Sequence, residues 1–118
     1  METFKVTNIY ADDAGESHFR DLEIPLKENG EIGFLSDAQE ANKIIFRKVN
    51  PSYDYDFHQS PARQYVILLD GEIEIETSNG EKRNFVSGNV LLLEDTWGKG
   101  HKTKNIRPEV RSSIFVTL

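Results

Sequence analysis

An all-β fold, closed on itself as a barrel or sandwich, follows from three features of the sequence. Short segments that alternate or run apolar recur along the chain, and glycine-bearing turns separate them. Only DAQEAN at 37–42 favours a helix, and it is long enough for about one turn. About eight to ten short strands with almost no helix predict closure, which removes exposed strand edges.

The first strand is expected over FKVTNIY (4–10), with Phe4, Val6 and Ile9 toward the core, followed by a loop at 11–17. HFRDLEIPL (18–26) alternates loosely, and Pro25 confines it to a sheet edge or a strand end. After the turn at 28–30, IGFLS (32–36) is a short strand candidate, and KIIFRKV (43–49) reads as a strand ending at Asn50-Pro51. YDYDFH (53–58) and RQYVILLD (63–70) follow. EIEIET (72–77) has the cleanest period of two, with Ile73 and Ile75 on one face and three glutamates toward water. Asn79-Gly80, two residues that tolerate positive φ, predicts a tight hairpin pairing 72–77 with 82–86. Gly88-Asn89 turns the chain into VLLLED, and Gly98 and Gly100 make an adaptable loop before His101. VRSSIFVTL (110–118) reads as a terminal strand with Val110, Ile114, Val116 and Leu118 on one face and Arg111 on the other.

At 118 residues and 37% hydrophobic content, the expectation is one domain with a modest core. The absence of cysteine excludes disulfides, thiolate catalysis and cysteine metal ligation. A net charge of -6 argues against nucleic acid as a partner, and Lys99, Lys102, Lys104 and Arg107 read as a solvated loop. No apolar run has the length of a signal peptide core or a membrane span, so a cytoplasmic protein without a membrane partner is expected.

Between Tyr53 and Asn105 the spacing of residues resembles the two motifs of the cupin superfamily. His58-Gln59-Ser60 occupies the His-X-His position of the first motif, Gln64 the glutamate position, and Gly71 the closing glycine. Gly88 opens the second motif, and His101, three residues and Asn105 reproduce its end. Ser52 stands for the opening glycine, Ser60 for the second histidine, Gln64 for the acidic ligand and Glu94 for the proline; the second motif is also two residues longer before its histidine. The resemblance implies a single-domain jelly-roll β-barrel with a central metal or ligand pocket, commonly a homodimer.

It also implies that His58, Gln64 and His101 are the catalytic and metal-binding residues, holding a divalent transition metal such as Fe, Zn, Mn or Ni. Two imidazoles and an amide oxygen leave coordination positions open, although an amide is a poorer donor than a carboxylate. Expected chemistry is that of an isomerase or lyase acting on a small carbonyl- or carboxylate-bearing metabolite. The alternatives are a non-catalytic ligand-binding or sensing protein and a metal-dependent dioxygenase. The phase of Gln64 with Val66 and Leu68 points it inward, and Arg63 outward. Strict alternation groups Tyr53, Tyr55 and Phe57 on one face and Asp54, Asp56 and His58 on the other, making Asp56 either a carboxylate near the site or a solvated residue. Glu94 and Asp95 are either the missing acidic function or solvated strand-end residues. Arg47 and Arg111 are either exterior residues or partners for an anionic substrate. Trp97 is assigned to a pocket wall or to packing, and His18 lies outside the constellation.

Overall fold

The computed structural model describes residues 2–118. Among the described residues there are twelve strands: β1 (Thr3–Ala11), β2 (Ser17–Pro25), β3 (Lys27–Glu28), β4 (Phe34–Leu35), β5 (Lys43–Val49), β6 (Asp54–His58), β7 (Gln64–Leu68), β8 (Glu72–Thr77), β9 (Lys82–Val86), β10 (Val90–Leu93), β11 (His101–Asn105) and β12 (Arg111–Thr117). A six-stranded sheet runs β2-β1-β10-β7-β12-β5, a four-stranded sheet runs β6-β11-β8-β9, and β3 pairs only with β4. All pairings are antiparallel except β1 with β10. The fold class is therefore all-β as expected, with two sheets enclosing a space; among the described residues their hydrogen-bonded ladders do not join into one closed cylinder. No helix among the described residues is long and apolar enough to cross a membrane.

The apolar centre is supplied by one face of each sheet. Ile9, Phe19, Val66, Leu68, Leu91 and Leu93 from the larger sheet meet Ile73, Ile75 and Phe85 from the smaller. The period-two reading of β8 holds, since Ile73 and Ile75 are each 2% exposed. β2 lies at the sheet edge, where Pro25 removes no ladder donor from an interior strand.

Several local expectations are corrected. Residues 37–42 carry no helical turn; the short 3-10 helix is at Gly30–Ile32. Phe4 is 48% exposed, because it shares with Val6 the outer face of β1, where both line a groove, whereas Ile9, of opposite phase, enters the core. Gly80 alone takes positive φ at the β8–β9 hairpin, with no non-glycine residue in that region. Gly80 N donates to Thr77 O and Thr77 N to Glu81 O, giving a three-residue loop with a glycine bulge instead of a two-residue turn.

The largest correction concerns β12. Arg111, Ser113 and Thr117 are buried, whereas Val110 is 52% exposed and Ile114 and Val116 face the other side of the sheet. Both faces of this central strand are partly covered, so an apolar alternation could not identify the interior one. The same phase in β5 turns Arg47, paired with Ser113, inward and leaves Ile44 and Phe46 exposed outside.

Candidate functional site

The inner faces of the two sheets leave a cavity of about 290 Å³, at the small end of the roughly 300–1,000 Å³ usual for small-molecule sites. Its body is apolar, formed by Val66, Leu68, Ile73, Ile75, Leu91 and Leu93. Polar groups enter from two ends: His58, His101, Gln64 and Ser60 at one, Arg47, Arg111 and Tyr53 at the other.

The histidine end is set by strand pairing. His101, first residue of β11, lies opposite His58, last residue of β6, and their ring centres are 4.7 Å apart with planes at 54°. Gly100 makes that approach possible: it adopts φ +72, and a Cβ there would stand 2.1 Å from His58 O. Between His101/His58 and Thr103/Tyr55 the register shifts, three residues of β6 matching two of β11. This irregularity overturns the strict alternation expected for 53–58. Tyr55 joins His58 on the cavity side, its ring stacked on the imidazole at 3.8 Å. Asp56 is exposed and outside the cavity lining; its carboxylate accepts from Phe57 N, and its carbonyl oxygen lies 2.8 Å from His58 Nδ1.

His101 is 3% exposed, and its Nδ1 is 2.5 Å from Oδ2 of Asp95, which is fully buried. Strand-end solvation of Asp95 is therefore incorrect; the loop from 95 to 100 folds back over the end of β11. Asp95 O also accepts from Ser60 N, tying this loop to the segment after His58. Glu94 faces away, engaged by Asn8, Arg63 and Arg20. Trp97 is 50% exposed and outside the lining, as is His18, whose Nε2 lies 2.6 Å from Oδ2 of Asp12 in the β1–β2 loop. Gln64 is 3% exposed and lines the cavity in phase with Val66 and Leu68, as its position predicts.

Each imidazole thus has Nδ1 engaged, by Asp56 O or Asp95 Oδ2, while Nε2 has no hydrogen-bond partner among the described residues. Burial lowers the His58 pKa below 6.5, with the Asp56 carbonyl opposing in part, so its neutral, donor form is favoured. Two imidazoles on one ion at about 2.0–2.1 Å have ring centres roughly 5 Å apart, which the observed 4.7 Å matches. Holding the second nitrogen by a carboxylate is also how metal-ligating histidines are commonly fixed. The residues fit a divalent ion at this level, although no three His, Cys, Asp or Glu side chains cluster as a metal group among the described residues. Asp95 is occupied behind His101, and Gln64 replaces the acidic donor.

The two motif histidines meet on adjacent strands of the smaller sheet, beside Gln64 from the larger. The same enclosure extends to a known structure: Drosophila melanogaster CENP-C bound to CAL1 is similar with a TM-score of 0.51 at 14% identity, over 79% of this chain and 74% of that one. The likeness is one of fold, an all-β arrangement of two sheets. The Schizosaccharomyces pombe Cnp3 cupin domain is similar at a TM-score of 0.44 and 10% identity, over 100% of this chain and 86% of that one. A conserved Streptococcus pyogenes protein of unknown function is similar at 0.46 and 19%, over 71% and 68%. No family model and no curated protein matches the chain. Asn105, the last residue of β11, accepts at Oδ1 from Arg111 Nε at 2.9 Å. Gly71 closes the first motif against the Arg111 stem: a Cβ there would lie 3.1 Å from Arg111 Cγ. The sequence signal for Arg111 was this pair of motif positions, not the phase of its own strand.

Proposed function

We propose that the cavity is the site of a small-molecule metalloenzyme of the isomerase or lyase type, acting on a small carbonyl- or carboxylate-bearing metabolite. His58 and His101 would hold a divalent transition metal, Fe, Zn, Mn or Ni, with the Gln64 amide oxygen as a third donor. The observation that supports this most is the buried Asp95 carboxylate 2.5 Å from His101 Nδ1, which leaves the opposite ring nitrogen free on the cavity side. When bound, the ion supplies Lewis acidity toward a carbonyl or enolate oxygen. The chain does the rest. Tyr55 stacked on His58 restrains that ring, and the apolar walls exclude water and so strengthen polar contacts within. Elemental analysis of protein purified without added metal tests the reading: about one ion per chain is expected, lost in the His58→Ala/His101→Ala variant. Retention of the ion by that variant, or failure of the wild-type protein to take up any of the four metals, rejects it.

A second reading, a ligand-binding or sensing protein without turnover, draws on the lining itself, in which no carboxylate occurs. A site that only binds has no need of an acidic metal ligand. Metal-free protein with a co-purified small molecule, identified by mass spectrometry, would support it. Dioxygenase chemistry ranks below both, because Gln64 stands where such sites carry a carboxylate.

We further take the two-sheet enclosure as a single jelly-roll domain and propose a homodimer. The outer face of the larger sheet supports the latter, since Ile44 and Phe46 are exposed there on the edge strand β5. Sedimentation of wild-type protein and Phe46→Lys should give dimer and monomer respectively.

A further inference from the structure

Arg111 is 1% exposed, yet its Nη1 and Nη2 have no hydrogen-bond partner among the described residues. Only Nε is used, donating to Asn105 Oδ1. That acceptor is itself fixed: Asn105 Nδ2 reaches the carbonyls of Asn50, Pro51 and Glu109 at 3.2, 3.4 and 3.3 Å, so the amide oxygen is left for Arg111. Gly71 packs against the aliphatic stem. The side chain is anchored along its length and ends, beside the cavity it helps to line, in two buried donors without a hydrogen-bond partner among the described residues.

A second positive group shares the space. Arg47 Nε donates to Ser113 Oγ, and its guanidinium carbon lies 5.4 Å from the Tyr53 ring centre, with that of Arg111 at 5.5 Å from the same ring. Burial first, and then the charge of Arg47, push the Arg111 pKa below its ordinary value. The buried Arg111 guanidinium does not discharge in proteins; Asp70 opposes the shift from outside the cavity lining, and an anion within the cavity would complete the compensation. None comes from the cavity wall, which carries no carboxylate although the whole chain has a net charge of -6.

We infer that the ligand is a compact organic carboxylate whose carboxylate group is clamped by Nη1 and Nη2 of Arg111, with Arg47 alongside. The inference rests on the reading of the cavity as a small-molecule site. Two parallel N–H donors match a planar carboxylate. The body of the ligand lies against apolar residues and its far end reaches the histidines: the rings of Tyr53, Tyr55, His58 and His101 run in succession between the two polar ends, at 6.3, 3.8 and 4.7 Å from one to the next.

The test is a binding titration of metal-free protein, by calorimetry and thermal shift, with benzoate, butyrate, benzamide, butyramide and inorganic phosphate at constant ionic strength. At least one carboxylate should bind saturably, with its amide at least about tenfold weaker, and Arg111→Met should lose about tenfold or more in carboxylate affinity, as expected for a charge-assisted bidentate contact. In wild-type protein labelled with nitrogen-15, the Arg111 side-chain resonances should shift on saturation, a readout that stands if Arg111→Met does not fold. Acid and amide binding alike, no saturable binding by either carboxylate, unmoved Arg111 resonances, or phosphate binding more tightly than both carboxylates overturns the inference. The same titration on His58→Ala/His101→Ala separates the two proposals. Carboxylate binding there without retained metal leaves this one standing when the metal reading fails, and a metal-loaded wild type blind to carboxylates does the reverse.

Discussion

Oδ2 of Asp95 and Nδ1 of His101 are 2.5 Å apart, in two residues closed off from solvent. The pair fixes the imidazole orientation before any ligand arrives. Asp95→Ala should destabilise the protein by about 2–4 kcal/mol, through a lost buried acceptor and the small void left behind. Asp95→Asn keeps the volume and should cost about 1 kcal/mol, yet divalent metal affinity should fall about 10–100-fold in both. Urea unfolding and metal titration together check this, because a purely structural role would leave affinity in Asp95→Asn unchanged.

Gly100 and Gly80 offer a controlled comparison. Both have positive φ, but a Cβ on Gly80 meets nothing within 4 Å, whereas on Gly100 it meets His58 O at 2.1 Å. Gly80→Ala should cost roughly 1 kcal/mol from backbone strain alone. Gly100→Ala adds overpacking to that strain and should cost about 2–5 kcal/mol. Denaturant midpoints read the difference, and equal losses would contradict the close approach.

Acid sensitivity should trace partly to His58. Its folded pKa lies below 6.5, chiefly through burial, so between the lowered value and 6.5 the unfolded chain holds more protons than the folded one. Stability therefore rises with pH through that window, and the penalty is absent above it. Unfolding of wild type and His58→Gln at about pH 5 and about pH 7.5 should show a smaller acid loss in the variant. An identical pH dependence in the two proteins would count against it.

Gln64→Glu should restore an acidic donor beside the two imidazoles. Divalent metal affinity is expected to rise on the order of tenfold or more, while the metal-free variant should melt lower, because a buried carboxylate lacks a counter-charge there. A variant with unchanged metal affinity would place Gln64 outside the coordination sphere.

Much of this arrangement was readable in the residues. The alternation of β8, the turns at Asn79-Gly80 and Gly88-Asn89 and the inward phase of Gln64 are local signals, and each followed its expected course in all but turn type. His58 and His101 came together because paired strands brought motif positions side by side. Three features depended on information held elsewhere in the chain. The register shift between Tyr55 and His58 is a property of two strands at once. Burial of Asp95 depends on a loop path set partly by contact with Ser60. The inward turn of Arg111 runs against hydrophobic periodicity, because the inner face of β12 carries the buried polar side chains Arg111, Ser113 and Thr117.

β12 follows every other strand in the chain yet lies between β7 and β5 in the larger sheet, and it delivers Arg111. During synthesis, β5 and β7 must therefore wait apart with their facing edges unsatisfied until the last segment emerges. Non-local pairing of this kind slows folding and exposes bare edges to association. A chain interrupted before β12 would therefore keep both histidines and Arg47 while lacking the anchored Arg111.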